Sequence, residues 1–271
     1  MNYAQICLAL DSNIHIGSGR AGMLAKSHTF IPAHIVSNAL VATIGKALGG
    51  QYSNFTDALQ QVQQNTRCGP LFLVNPITEG QILFPTRDKQ QIEQQFLVAS
   101  NHVTLNTENC SSVDGALFEV EAIAKNVVRG QYQGQTTQLM GGLWFKQQKL
   151  CGRNLEDWLN NCLFGGELKS GLGRIHLKSF KTDVENYAGL GRVDEMGLHL
   201  NANDILPGVT LDGVHNVPFY PWVGRLFDRD KGFGRAISQA AFVAYDAPIK
   251  QSACFLPCSD THAWGCWQVV S

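Results

Sequence analysis

Charged side chains are scarce in this sequence. They make up 16% of its 271 residues, where about a quarter is usual. Gln, Asn and Gly fill the gap, which implies much polar but uncharged surface, as on a subunit whose faces are partly covered by partners. The net charge is −1, so the chain as a whole lacks the basic signature of a nucleic-acid binder. No apolar run approaches the roughly 18 residues of a membrane span. The opening segment, MNYAQICLALDSNIHIG, has no basic n-region, and its apolar run is too short for a signal peptide. A cytoplasmic protein with no membrane contact is therefore expected, and its eight cysteines read as reduced thiols. The G-K-[ST] ending of a P-loop is missing as well.

One further absence is local. From Ser12 to Thr56 there is no Asp or Glu, while Arg20, Lys26 and Lys46 stand there with His15, His28 and His34. From Ala124 to Phe180, eight Lys and Arg face three acids, Glu156, Asp157 and Glu167. Two positive segments in a near-neutral chain read as a local anion-binding surface whose contribution would weaken with salt. Solvated faces with chance clustering are the plainer alternative.

Along the chain, YAQICLAL reads as a strand that NIHIGSG continues into a glycine turn. FIPAHIVSNALVATIGKAL reads as a helix. Pro32 suits its first position, Ile35, Val36, Ala39, Leu40 and Ile44 recur at helical spacing, and Gly49-Gly50 ends it. NFTDALQQVQQ, 54 to 64, suggests a second helix. From Leu71 to Phe118 the pattern is one of short extended runs separated by turn residues. NLEDWLNNCLF, 154 to 164, reads as a helix capped by Asn154. RIHLKSF, MGLHLNAND and AISQAAFVAYD are strand-like. No low-complexity linker interrupts the chain. The expectation is a single compact unit over residues 1–271, or two packed halves of about 1–180 and 181–271.

Glycine carries the clearest signal. GGELKSGLGRIHLKSF, residues 165 to 180, has Gly or Ser at five of its first nine positions, with Lys169, Arg174, His176 and Lys178 among or after them. Three G-x-G-R tetrads occur, at 17–20, 171–174 and 232–235. Glycines spaced by one residue let the backbone turn and expose N–H groups, and an Arg directly afterwards offers a donor fork suited to phosphate. GSGRAG formally matches G-x-G-x-x-G after a strand. A dinucleotide site would need a helix opening there and an acid about twenty residues on; the next acid is Asp57, so that reading is set aside.

LDSNIHIGSGRAG, then FIPAHIVSNALVATIG, then GGELKSGLGRIHL together resemble the RAMP superfamily of CRISPR-Cas proteins. PWVGRLFDRDKGFGRAISQAAFVAYDAPIKQSACFLP is similar to the C-terminal part of type III subunits that hold the 5′ handle of the guide RNA. The resemblance touches both ends and the middle of the chain. It implies an α+β fold of one or two ferredoxin-like (RRM-like) units, with antiparallel sheets and a glycine-rich loop lying against guide RNA. Two departures matter. Ala33-His34 stand where the family usually has Gly-Ser after the proline, and the interval Ile16 to Pro32 contains no acid, whereas the target-cutting backbone subunit carries an Asp there. Asp11 lies on the wrong side of the turn.

His34 is reminiscent of RAMP-type endoribonucleases that process precursor guide RNA. Such an enzyme needs a general base near the 2′-hydroxyl and an acid or cation at the leaving oxygen; His15, His28 and Tyr52 would have to lie nearby, with Lys46 stabilising charge. Capping or base stacking by His34 is the favoured alternative. Cys254, Cys258, His262 and Cys266 are spaced by three residues, unlike the common zinc pattern with an x2 pair, and read equally as small buried thiols; no cofactor is expected. Around the third tetrad, Arg225, Arg229, Lys231 and Arg235 interleave with Phe219, Tyr220, Trp222, Phe227 and Phe233, which suits single-stranded RNA or an ordinary core hairpin.

The expected RNA contacts are Gly17, Gly19, Arg20, His34, Gly166, Lys169, Gly171, Gly173, Arg174, Arg225, Lys231 and Arg235. The resemblance implies a non-catalytic type III effector subunit holding the 5′ handle. Its partners would be the guide RNA (crRNA), backbone RAMP subunits and the large polymerase-like subunit, with target RNA a further candidate. The rivals are a backbone subunit coating the guide, for which the extended stretch 71–118 would supply a thumb, and the processing endoribonuclease.

Overall fold

The strand Asn2–Leu10 (β1) is covered on both faces, with only Asn2 exposed. This computed structural model describes all residues except 79, 106–107, 109–111, 211–212, 216–218, 221–223, 229–231, 239–242, 260–264 and 271. Of residues 104–105, 112–116, 219–220, 224–228, 232–238 and 243–245 only the backbone is described.

After β1 come a hairpin, Gly17–Ala21 (β2) and Leu24–Ser27 (β3), and two helices, Ala33–Ala47 (α1) and Tyr52–Asn65 (α2). Short strands Thr66–Cys68 (β4) and Phe72–Leu73 (β5) precede a helix, Lys89–Phe96 (α3), and a long hairpin, Leu97–Leu105 (β6) and Ser112–Ile123 (β7). Gln138–Phe145 (β8) is followed by the small pair Lys149–Leu150 (β9) and Arg153–Asn154 (β10), the helix Leu155–Asn160 (α4) and Ile175–Lys181 (β11).

The central sheet has the order β11-β1-β8-β4, with β5 also on β8, and every pairing in it is antiparallel. With the insertions set aside, its elements run β–α–β–β–α–β: β1, α1, β4, β8, α4, β11. The two-residue period of a strand sends alternate side chains to opposite faces. Ala4, Ile6, Leu8 and Leu10 of β1 join Val36, Leu40 and Ile44 of α1 and Trp158 of α4 in one core. Tyr3 of β1 and Met140 and Trp144 of β8 enter a second core. There the Trp144 and Tyr187 rings stack at 6.1 Å and Trp267 meets Trp144 edge-on at 5.7 Å. Gly142 makes room for this stack: a Cβ on it would lie 2.6 Å from Tyr187 and 2.8 Å from Tyr3.

The second core is closed by a seven-stranded sheet. Its strands are Arg192–Val193 (β12), Leu198–Leu200 (β13), Val209–Thr210 (β14), Phe219–Tyr220 (β15), Val243–Tyr245 (β18), Ala253–Pro257 (β19) and Trp267–Val270 (β20). They run in the order β12-β13-β19-β20-β14-β18-β15. Gly224–Asp228 (β16) and Gly232–Ser238 (β17) pair with each other. A four-stranded sheet, β2-β3-β7-β6, leaves β2 exposed along its whole length. The fold is thus α+β, with mainly antiparallel sheets and few helices. No helix among the described residues is long and apolar enough to cross a membrane.

Several sequence expectations need correction. The stretch 71–118 is not only extended: KQQIEQQF forms α3, whose buried residues are Ile92 and Phe96 alone. The apolar pair at i and i+4 is too sparse to register as helical periodicity. The helix expected over 154–164 ends at Asn160, because Asn161 and Cys162 close it with short 3₁₀-type bonds to Trp158 and Leu159. The first strand does not continue through NIHIG. It stops at Leu10, and Ile14 and His15 make single bridges to Ile123 and Gly166. By contrast α1 ends where Gly49-Gly50 predict, with the Gly50 N–H donating to the Gly45 carbonyl at 2.9 Å.

Candidate nucleic-acid interface

Three turn-forming residues follow β1: Asp11, Ser12 and Asn13. Such side chains bond to nearby backbone and so hold irregular chain. Here they clasp a segment 160 residues on. The Asp11 and Ser12 N–H groups donate to the Arg174 carbonyl at 3.0 and 3.2 Å. The Arg174 N–H donates to Ser12 Oγ at 2.9 Å, and the Gly173 N–H to the Asn13 carbonyl at 2.9 Å. Asn13 Oδ1 accepts from the Lys125 N–H at 2.8 Å. Sequence reading missed this clasp; its one signal was the D-S-N run after the strand.

The clasped segment is the glycine-rich loop. Leu163 and Arg174 bridge across its base, and the Phe164 N–H donates to the Gly173 carbonyl at 2.9 Å. Between them the chain turns through Leu168–Ser170, flanked by Glu167 at φ 54° and Gly171 at φ 86°. Two of the glycines answer to the protein's own backbone. At Gly165 (φ 84°) a Cβ would collide with the His15 carbonyl, and at Gly173 (φ 87°) with the Phe164 carbonyl. Gly166 and Gly171 are different. Both are exposed, and a Cβ on Gly171 would meet nothing within 4 Å.

His15 joins the first glycine tetrad to this loop. It is 9% exposed, its carbonyl accepts from the Gly166 N–H at 2.8 Å, and its Nδ1 lies 2.6 Å from the Glu121 carbonyl. With a carbonyl as partner, Nδ1 carries the proton and donates. Its Nε2 lies 3.5 Å from the place a Cβ would take on Gly17. GSGR (17–20) and the loop 165–174 therefore meet at one histidine. β2 is bulged between Gly17 and Gly19, and Arg20 pairs with Ala25.

The side chains around this junction are basic and open. Arg20, Lys26, Lys169, Arg174, His176 and Lys178 are exposed. His176 Nδ1 pairs with Asp11 at 2.9 Å, and the Lys178 ammonium donates to Gln138 at 2.8 Å. None of Arg20, Lys26, Lys169 and Arg174 is in an ion pair among the described residues.

His34 is separate chemistry. Burial, with the neighbouring His28, pushes its pKa down to about 4, so the imidazole is neutral at physiological pH and a weak base. Burial lowers His28 as well, and its ring meets Phe30 edge-on at 5.4 Å. Of the constellation expected around His34, His28 is close, but Lys46 and Tyr52 are not. Lys46 lies twelve residues further along α1, about 18 Å at 1.5 Å per residue, and Tyr52 opens α2 beyond that end.

The third tetrad lies on the β16–β17 hairpin, where Arg225 pairs with Ile237. The side chains of Arg225, Arg235, Phe219, Tyr220, Phe227 and Phe233 lie outside the described residues, as do Trp222, Arg229 and Lys231 altogether. His262 of the cysteine cluster is also outside them. Cys254 Sγ sits 3.7 Å from His199 Nε2, while the Cys258 N–H donates to the Cys266 carbonyl at 2.7 Å. Burial pushes the Cys266 thiol up to about 12. Among the described residues no three His, Cys, Asp or Glu are placed to hold a metal ion, and the seven described cysteines are free thiols.

Comparison with known proteins gives no match to any family model and none to a curated protein. Among solved structures 97 chains match. One, from a cryo-EM structure of the type III-B Cmr-beta bound to cognate target RNA, is 10% identical, with a TM-score of 0.46 over 65% of this chain and 96% of its own. A second, from the same complex bound to cognate target RNA and AMPPnP, is 11% identical, with a TM-score of 0.42 over 92% of this chain and 84% of its own. A third, from the apo state of type III-B Cmr-beta, is 10% identical, with a TM-score of 0.38 over 67% and 98%.

Proposed function

We propose that this chain is an RNA-binding protein of a CRISPR-associated ribonucleoprotein. More narrowly, it is a non-catalytic subunit of a type III effector complex that holds the 5′ handle of the guide RNA and the nucleotides next to it. The single observation that carries this reading is the His15–Gly166 bridge. It joins two glycine-rich, basic segments into one exposed surface that carries Arg20, Lys169 and Arg174, cations that have no ion-pair partner among the described residues. Phosphate contacts of that kind fix a strand's register, and a few base contacts recognise its sequence. The β–α–β–β–α–β order, with strands arranged fourth–first–third–second, supports a ferredoxin-like unit and the RAMP reading of the sequence motifs. The second core draws Tyr3, Phe72 and Trp144 together with Leu198, Phe255 and Trp267, which supports one unit of two packed halves. Backbone RAMP subunits and the large polymerase-like subunit are the partners this role requires, with target RNA a further candidate.

The test is to incubate the purified chain with labelled repeat-containing precursor RNA, without added metal, and follow binding and cleavage together. Binding without cleavage, weakened when Lys169 and Arg174 are replaced, is the expected result. Cleavage that disappears in His34→Ala would make this the processing enzyme instead.

A second reading, the backbone subunit, is favoured by one feature. The β6–β7 hairpin carries a stacked His102–Phe118 pair at 5.3 Å and, on the other face, Val103 and Leu117 exposed at 47% and 49%, as a thumb inserted between bases would. Copy number in complexes reconstituted on guides of two lengths separates the readings: it is constant for a handle holder and scales with length for a backbone subunit.

A further inference from the structure

A cavity of about 380 Å³ opens beside the glycine-rich loop, between the C-terminal half of α1 and α4. Its volume lies within the roughly 300–1,000 Å³ of small-ligand sites. Trp158 lines it, with the Arg153 guanidinium 5.0 Å from the ring centroid, and Leu163 and Leu168 stand at its rim, exposed at 41% and 37%. Lys46 and Arg153 both line it, and among the described residues no carboxylate does.

We propose that this cavity receives one nucleotide of the bound RNA strand. The base lies against the exposed Leu163 and Leu168, beside the edge of the buried Trp158, and its phosphate meets Lys46 and Arg153. This rests on the loop being an RNA surface, and it deepens that reading by giving the strand a place to insert a base. Three observations point to a nucleotide rather than a peptide anchor. Two cations without an acid call for an anionic occupant. The walls include Thr43 and Asn161; the Thr43 hydroxyl donates to the Ala39 carbonyl at 2.8 Å and the Asn161 amide to the Asp157 carbonyl at 2.7 Å, which leaves their oxygens to accept from a base amino group. Finally, Leu168 belongs to the same turn as Lys169, so the cavity is continuous with the proposed phosphate track.

The experiment uses the full chain and a single-stranded RNA carrying 4-thiouridine throughout. Photocrosslinks are mapped to peptides, and affinity is measured by anisotropy. Three variants are compared: Ala47→Trp, which fills the cavity from an exposed helix position; Lys46→Gln with Arg153→Gln; and Lys169→Gln with Arg174→Gln. Circular dichroism confirms folding, and the Lys46/Arg153 pair keeps the test valid should Ala47→Trp misfold. The expected result is a crosslink within 153–168 that is lost in Ala47→Trp, with affinity reduced about tenfold, as loss of one inserted base and its phosphate contacts predicts. If RNA binds and crosslinks to the loop but neither cavity variant changes affinity, the cavity proposal falls and the loop reading stands. If the cavity variants weaken binding and the loop variant does not, the loop reading falls and the cavity stands. A wild-type chain that binds no RNA overturns both.

Discussion

The Gly166 N–H donates to the His15 carbonyl at 2.8 Å, joining two segments 151 positions apart in the chain. The same carbonyl lies where a Cβ on Gly165 would fall. Part of the loop's glycine content is thus explained inside the protein, and part, at Gly166 and Gly171, faces outward.

That division is measurable. Gly165→Ala adds a collision with the His15 carbonyl to the left-handed backbone strain, and should lower stability by about 2–4 kcal/mol. Gly171→Ala carries the strain alone, about 1–2 kcal/mol. Urea unfolding of both variants checks this; equal losses would show that the close approach at Gly165 contributes nothing.

Lys169→Glu and Arg174→Glu should leave melting temperature unchanged, since both side chains are exposed. Each should lower RNA affinity and reduce the slope of log K against log salt by about one for every phosphate no longer neutralised. Binding titrations at three salt concentrations would show it. An unchanged slope in both variants would remove these residues from the interface.

Because His34 is held neutral, with a pKa of about 4, it adds no charge to RNA binding above pH 5.5. His34→Ala should therefore leave the salt slope as it is in wild type. Affinity measured at pH 5.5 and 8 should differ between wild type and variant by no more than at a single pH. A pH dependence present in wild type and absent in the variant would place a titrating His34 on the RNA.

Asp246 is buried, and burial pushes its pKa up to about 7, against the lowering effects of the Gly208 N–H, Thr86 and the nearby Arg87. Gly208 N–H donates to Asp246 Oδ1 at 2.8 Å and the Thr86 hydroxyl to Oδ2 at 3.3 Å, tying the turn before α3 to the second sheet. The folded state keeps the proton to higher pH than the unfolded chain does. The resulting stabilisation is full below the unfolded carboxylate's ordinary value and is lost as pH rises through about 7. Melting temperature should therefore fall from pH 6 to 8 in wild type and stay flatter in Asp246→Asn. Parallel curves for the two proteins would contradict the assignment.

Local pattern made much of this protein legible. The α1 helix follows from Ile35, Val36, Ala39, Leu40 and Ile44 at helical spacing and from the Gly49-Gly50 stop, because helix bonds and helix ends are short-range. The glycine-rich loop was visible because left-handed backbone favours glycine, as at Gly165, Gly171 and Gly173. The α3 helix was not, since its Lys, Gln and Glu favour helix but its two buried residues, Ile92 and Phe96, give too little apolar periodicity to mark it.

What the tertiary structure alone decided is which distant pieces meet. Nothing in GSGR or GGELKSGLGR states that His15 lies between them, or that Ser12 and Asn13 clasp Arg174 and Gly173, because most of these bonds join backbone groups, which are indifferent to side-chain identity. Nor does the His34 residue type reveal its neutrality, which comes from the burial and neighbours that folding supplies. Residue chemistry and short-range periodicity belong to the sequence. The juxtaposition that turns glycines and cations into one surface belongs to the fold, because the contacts that create it are made only when β1, β7 and β11 have taken their places.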